Sequence, residues 1–260
     1  MMSTNPEDLR NFDTFRQIIS RLRGPGGCPW DRKQTHESLK RFLIEECYEA
    51  IEVLDEGDSA KLCEELGDIL LQIFLHAQIA SEAGEFDIHD VIQSIASKMV
   101  YRHPHVFGDA KVADEKQVAE NWEALKREER DEGASLLSSV PKSMPALSYS
   151  QAVQRRAARV GFDWKDFDGV LEKVCEELRE LREASDQAAR LHEFGDLLFA
   201  IVNAARWLDI DPEEALRLSN ARFRHRFQHM EEVTRKRGVS LSDLSLDELD
   251  ALWKDAKSSN

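Results

Sequence analysis

Cysteines at metal-clip spacing are missing: Cys28, Cys47, Cys63 and Cys175 form no CxxC pair, which excludes a zinc ribbon and a thioredoxin-type redox motif. Buried free thiols in a reducing compartment are the expectation. A long apolar run is also missing, as is an apolar stretch at the N-terminus. Neither a membrane span nor a secretory leader is therefore expected, and the chain reads as soluble and cytoplasmic. Only 12 glycines and 7 prolines break up 260 residues, and no segment alternates with a period of two. Helices are expected throughout, and the expected fold class is all-α. Positive charge is in deficit, with 35 Lys and Arg against 50 Asp and Glu for a formal net charge of −15. That argues against nucleic acid as the partner, because duplex binding rests on neutralising phosphates. An acidic protein that handles an anionic ligand needs a metal and a local cluster of Lys and Arg.

What the chain has instead is an acidic pattern written twice. Ile44-Glu45-Glu46-Cys47-Tyr48-Glu49 is followed by Glu64-Glu65-Leu66-Gly67-Asp68, and Cys175-Glu176-Glu177-Leu178-Arg179-Glu180 is followed by Glu193-Phe194-Gly195-Asp196. The first motif recurs at an offset of 131 residues and the second at 128, so the copies differ by three residues in the intervening turn. A repeat at half the chain length predicts two similar domains, 1–135 and 136–260, with a linker over 133–143.

On a helix, residues three apart share a face. Glu46 therefore projects with Glu49, Glu65 with Asp68, Glu177 with Glu180 and Glu193 with Asp196. If the two helices of each copy pack antiparallel, four carboxylates converge. Two unit charges about 5 Å apart repel by roughly 3 kcal/mol at an effective dielectric of about 20, and a quartet multiplies that several times. The sum rivals the whole stability of a domain, about 5–15 kcal/mol. Either the carboxylates splay into water or a cation sits among them. Oxygen-only donors favour Mg²⁺ or Mn²⁺ over Zn²⁺.

The pattern of EExxE, a gap, then ExxD resembles that of the MazG-type nucleoside triphosphate pyrophosphohydrolases. Gly27-Cys28-Pro29-Trp30-Asp31, Arg102-His103-Pro104-His105-Val106-Phe107, Gly161-Phe162-Asp163-Trp164 and Gly195-Asp196-Leu197-Leu198-Phe199 resemble the same family in the same order. The resemblance implies two tandem MazG-like bundles of four-helix type. It implies hydrolysis of the α–β anhydride of a nucleoside triphosphate to monophosphate and pyrophosphate, serving to clean the nucleotide pool. It further implies a homodimer in which the C-terminal copy is catalytic, with metal on Glu177, Glu180, Glu193 and Asp196. The set Glu46, Glu49, Glu65 and Asp68 is intact as well and stands as a second metal site. Glu176 would orient the attacking water, and Arg222 and Arg226 would neutralise charge on the leaving pyrophosphate. Trp164 and Trp253 would stack on the base, with Arg190 and Lys257 as further substrate contacts. Two departures from the family pattern stand out: His192-Glu193 replaces the Glu64-Glu65 of the first copy, and Ala189 stands where relatives carry Lys.

Along the chain, helical spacing predicts an amphipathic helix over 11–23 and a turn at 24–27. The glycine-rich stretch there lacks the Gly-Lys-Ser/Thr of a phosphate loop. A helix over 39–55 is expected to bury Leu43, Ile44, Cys47, Ile51 and Leu54. The next, over 59–83, is expected to be buried on most sides through Ile69, Leu70, Leu71, Ile73 and Phe74. A third helix, capped by Asp87, carries Lys98 and Arg102 on one face, and Arg222 and Arg226 recur at an offset of 124. Such a pair suits a polyphosphate bridged to the metal; a solvated basic face or a salt bridge to the quartet is the alternative. A helix over 115–131 carries Trp122 and Lys126, which correspond to Trp253 and Lys257 at offset 131. For the tryptophans, burial in a core is the competing reading.

Two other classes compete. A ferritin-like di-iron bundle needs Glu-x-x-His on two helices, where this chain has Glu-x-x-Glu and Glu-x-x-Asp. A non-catalytic helical interaction or dimerisation scaffold would treat the carboxylates as solvated faces, and leaves their repetition in register unexplained.

Overall fold

A computed structural model describes residues 8–258 except 116, 119–120, 123–124 and 126–134. The chain divides into two compact units, Met1–Arg130 and Asp131–Asn260. Among the described residues every regular element is helical, and no helix is long and apolar enough to cross a membrane. The helix expected over 115–131, with Lys126, lies largely outside the described residues.

In the first unit, α1 (Phe12–Arg23) starts where the Asn11 side chain accepts from the Asp13 amide at 2.8 Å, satisfying a helix N–H that has no partner inside the helix. The turn after it is tight. The Cys28 amide donates back to the Leu22 carbonyl at 2.8 Å, and a Cβ on Gly27 would lie 2.3 Å from that same oxygen. Short α2 (Pro29–Lys33) follows. Arg23, its side chain 5% exposed, fastens this corner by reaching Glu82 at 2.8 Å and the Gln34 carbonyl at 3.1 Å. Helix α3 (His36–Glu56) opens on a reciprocal Thr35–Ser38 capping box. Gly57, at φ 72°, ends it in a left-handed turn, and Asp58 caps α4 (Ser59–Ala83). Asp87 caps α5 (Ile88–Arg102), and α6 (Pro104–Phe107) is a single turn. The core gathers Ile19, Leu39, Phe74, Leu75, Ala77 and Ile88.

Two expectations about this unit are corrected. Helix α3 buries Leu39, Ala50 and Val53 and leaves Ile44, Cys47 and Leu54 exposed. On α4, Phe74 and Leu75 are buried, whereas Leu66, Leu70 and Ile73 remain on the surface. Within the unit α3 packs on α4, and α4 also meets α1 and α5. Both long helices carry two apolar stripes, and the unit covers only one of them. The thiols follow the same logic: all four are free, but Cys47, Cys63 and Cys175 are exposed and Cys28 is half-buried.

In the second unit, α7 (Ala146–Ala158) is tied to its neighbours by buried amides, Gln151 donating to the Ile210 carbonyl at 2.7 Å and Gln154 to the Phe199 carbonyl at 2.8 Å. Asp166 caps α8 (Phe167–Glu183), and Asp186 caps α9 (Gln187–Trp207). Asp211 with Pro212 at the first helical position opens α10 (Pro212–Arg237). A 3-10 turn (Leu241–Asp243) leads to α11 (Leu246–Ser258), where Ser245 and Glu248 cap each other. Helix α8 packs along α9, α9 meets α7 and α10, and α10 meets α11. Val170, Leu197, Val202, Met230 and Leu252 are buried at these contacts.

Candidate functional site

The paired helices bring three of the four predicted carboxylates of each unit into one group. In the second, Glu177 and Glu180 on α8 and Glu193 on α9 offer oxygens that all lie within 4.8 Å of one another, and His192, Glu193 and Asp196 form an overlapping group of the same size. The His192 ring stands in for the acid of the first copy, with Nδ1 3.0 Å from Asp196 and 3.6 Å from Glu193. Glu180 is pushed above its ordinary value by desolvation and then by the charges of Glu177 and Glu193. In the first unit, Glu46, Glu49 and Glu65 converge within the same 4.8 Å. Desolvation raises Glu46, and Asp68 and Glu49 add to it; desolvation also raises Glu65, with Glu49 and Asp68 behind it. Asp68 thus enters as a charge acting on both. Like charges held this close make each proton harder to lose.

Glu177 is 4% exposed. Its Oε1 receives the Lys173 ammonium at 2.7 Å, while its Oε2 is buried without a hydrogen-bond partner. Lys173 also holds Glu176 at 2.8 Å. The pair keeps the Glu176 carboxyl below its ordinary range and, with Glu177, the Lys173 ammonium above its own. An unpaired buried carboxylate oxygen beside further carboxylates is a position that a cation satisfies. The donors are hard oxygens with one imidazole at the edge, so the residues fit a divalent ion of the Mg²⁺ or Mn²⁺ type.

Beside this cluster runs a groove of about 700 Å³, lined by Trp164, Lys173, Glu177, Asp196 and Asn203 among others. Its wall is held by Asp163, which receives Arg206 Nη1 at 3.0 Å and the Trp207 indole at 3.1 Å, while Arg206 Nε reaches Asn203 at 2.9 Å. Burial opposes ionisation of Asp163, but the hydrogen bonds from Arg206, the Trp164 amide and Trp207 hold its carboxyl below the usual value. Trp164 is 44% exposed and faces the groove, not a core.

The predicted basic residues are placed less closely. Arg226 lies over the Trp253 ring at 5.7 Å and Arg102 over Trp122 at 5.5 Å, the same cation–aromatic stack in each unit. The Arg226 Nε is buried without a partner. Among the described residues, no ion pair joins Lys98, Arg222 or Arg226 to a quartet. Arg190 on α9 and Lys257 on α11 are exposed. Sequence reasoning missed Lys173, Arg206 and Asn203. Lys173 carried a legible signal, standing four residues before Glu177 on the same helical face. Arg206 carried none, because 43 residues separate it from Asp163.

The sequence model of the MazG nucleotide pyrophosphohydrolase domain matches residues 34–107. A nucleoside triphosphate pyrophosphohydrolase/pyrophosphatase MazG of Thermotoga maritima is 50% identical over 247 residues, 95% of either chain. The nucleoside triphosphate pyrophosphohydrolase of Escherichia coli is 40% identical over 257 residues, covering 96% of this chain and 98% of its own. The protein YabN of Bacillus subtilis is 53% identical over 251 residues, 95% of this chain and 51% of its own. With paired carboxylate helices in both units and relatives of this identity along nearly its whole length, the chain belongs to the MazG nucleotide pyrophosphohydrolase family.

Proposed function

We propose that the protein is a Mg²⁺-dependent nucleoside triphosphate pyrophosphohydrolase whose working site is the Glu177–Glu180–Glu193–Asp196 cluster with the groove beside it. The observation that carries this reading is the junction of a carboxylate cage and an aromatic-walled groove along one surface, with Glu177 and Asp196 belonging to both. A divalent ion bound by the four carboxylates would supply charge neutralisation and an acidified water. The chain's own residues do the rest. Trp164 offers a face for the base, and stacking tolerates any base, which suits clearance of many nucleotides. Glu176 stays ionised beside the cage, the state needed to orient a water for attack at phosphorus. Arg222 and Arg226, with Arg190, Trp253 and Lys257, are the candidates for the polyphosphate and outer contacts. Glu46, Glu49, Glu65 and Asp68, with Lys98 and Arg102, make a second candidate site in the first unit.

The apolar stripes left bare within each unit, Leu66, Leu70 and Ile73 on α4 and Leu198 and Ile201 on α9, support a homodimer as the working form. The acidic balance of the chain and its free thiols support a cytoplasmic enzyme of free nucleotides, not of nucleic acid. Pyrophosphate release from a mixture of nucleoside triphosphates with Mg²⁺ tests the reading. Glu193→Gln should cut turnover about 100-fold or more, and far more than Glu65→Gln does. The reverse order would move the working site to the first unit, and no release by the wild-type protein would end the proposal.

A further inference from the structure

We propose that Lys173 is a resident counter-cation that competes with the divalent ion for Glu177, so that the second site fills only as the lysine is drawn off. The inference rests on the reading of that cluster as a metal site. Its own ground is the way Glu177 is held. Lys173 Nζ sits 2.7 Å from Glu177 Oε1 and 2.8 Å from Glu176 Oε1, bridging two adjacent carboxylates. The other Glu177 oxygen is sealed from solvent and has no partner, in a residue only 4% exposed. An ion that takes Glu177 as a ligand must therefore enter against an ammonium already in contact with the same carboxylate. Two cations on one carboxylate repel, so each weakens the hold of the other. Lys173 lines the groove as well as touching the cage, so a polyanion in the groove offers the displaced ammonium new acceptors and lowers the cost of its departure.

The first unit provides the contrast. At the offset of 131 residues that relates the two acidic motifs, position 173 corresponds to Phe42, whose ring meets Trp30 at 5.7 Å and carries no charge to Glu46. The first cluster has a lysine of its own, Lys61 at the place of Ala189, and its charge acts on Glu65, but its ammonium pairs with Glu56 at 3.0 Å and not with a cluster carboxylate. Ion and groove ligand are thus coupled at the second site by a residue that touches both, while among the described residues no ammonium contacts a carboxylate of the first cluster.

The test is Mn²⁺ binding without nucleotide, read as the loss of the free-ion paramagnetic resonance signal, at a pH well above the carboxylate range. An E46Q/E49Q parent silences the first cluster. K173M should bind Mn²⁺ about tenfold tighter than the parent or better, and K173R should stay near it. In the protein with Lys173 unaltered, amine-reactive labelling of that residue, followed by mass spectrometry, should rise as Mn²⁺ is added. This second arm does not depend on a variant folding. Equal or weaker binding by a folded K173M, or labelling that saturating Mn²⁺ leaves unchanged, overturns the proposal. Either result leaves the hydrolysis reading intact, because pyrophosphate release by the wild-type protein is a separate measurement. Failure of both the parent and K173M to bind Mn²⁺ overturns the proposal and the metal assignment together.

Discussion

Replacing Glu46 by Gln should stabilise the metal-free protein and remove much of the stabilisation expected of Mg²⁺ under the proposed metal assignment. Glu46, Glu49 and Glu65 present oxygens within 4.8 Å of one another, and Asp68 adds a further charge acting on Glu46. At such a distance a pair of unit charges repels by roughly 3.5 kcal/mol at an effective dielectric of about 20, and by about 1 kcal/mol in bulk water. The cluster is open to solvent on one side, so the screened total relieved by the substitution is about 1–2 kcal/mol. For a unit of this size that moves the melting temperature up by roughly 3–8 °C. The pH dependence gives a second arm. Desolvation, followed by Asp68 and Glu49, lifts the Glu46 carboxyl above its ordinary value of 4.5. The folded state thus holds that proton more tightly than the unfolded chain. The resulting stabilisation is complete below 4.5 and is lost as pH rises through the folded value. Glu46→Gln should flatten this decline, and excess Mg²⁺ should flatten it in the wild type. Thermal unfolding followed by circular dichroism, in chelator and in Mg²⁺, measures all four combinations. A variant that melts below wild type in chelator, with Mg²⁺ raising both equally, would refute the reasoning.

Arg206→Ala should lower stability by about 1 kcal/mol, because it removes hydrogen bonds from the exposed Asp163 and the half-buried Asn203, and it should raise KM for nucleotide more than it lowers kcat. A stable variant with unchanged KM would show that the groove wall does not need the clamp. The matching pH effect has the opposite sign to that of Glu46: the depressed Asp163 carboxyl contributes stability at neutral pH that is lost as pH falls through its folded value. Leu70→Glu places a charge on the bare α4 stripe with Leu66 and Ile73 and should yield a monomer by sedimentation velocity. A wild-type monomer, or a variant of unchanged mass, would remove this stripe as the contact of the proposed homodimer.

The helices and their ends were legible because their signals are local. Asn11, Asp58, Asp87, Asp186 and Asp211 cap as their sequence contexts imply, and Gly84 and Gly238 end helices in the left-handed region. The carboxylate clusters were legible because spacing on one helix and repetition along the chain point the same way. Helical periodicity could not say which of two apolar stripes on α3 or α4 faces inward, so Ile44, Leu54 and Leu70 were expected inside and lie outside. The offset relating Lys98 and Arg102 to Arg222 and Arg226 gave their register along the chain, not their distance from a carboxylate. The Arg23–Glu82 and Arg206–Asp163 pairs join residues 59 and 43 positions apart. Contacts of that range depend on tertiary packing and leave no periodic trace.

The junction between α1 and α2 has no room to absorb a side chain. With two carbonyl oxygens within 2.4 Å of where a Cβ would stand on Gly27, even alanine has to prise the corner open. Trp30, three positions on, would be displaced with it. A saturation library of this protein should therefore show position 27 as intolerant as any carboxylate, although that residue has no side chain to offer a substrate.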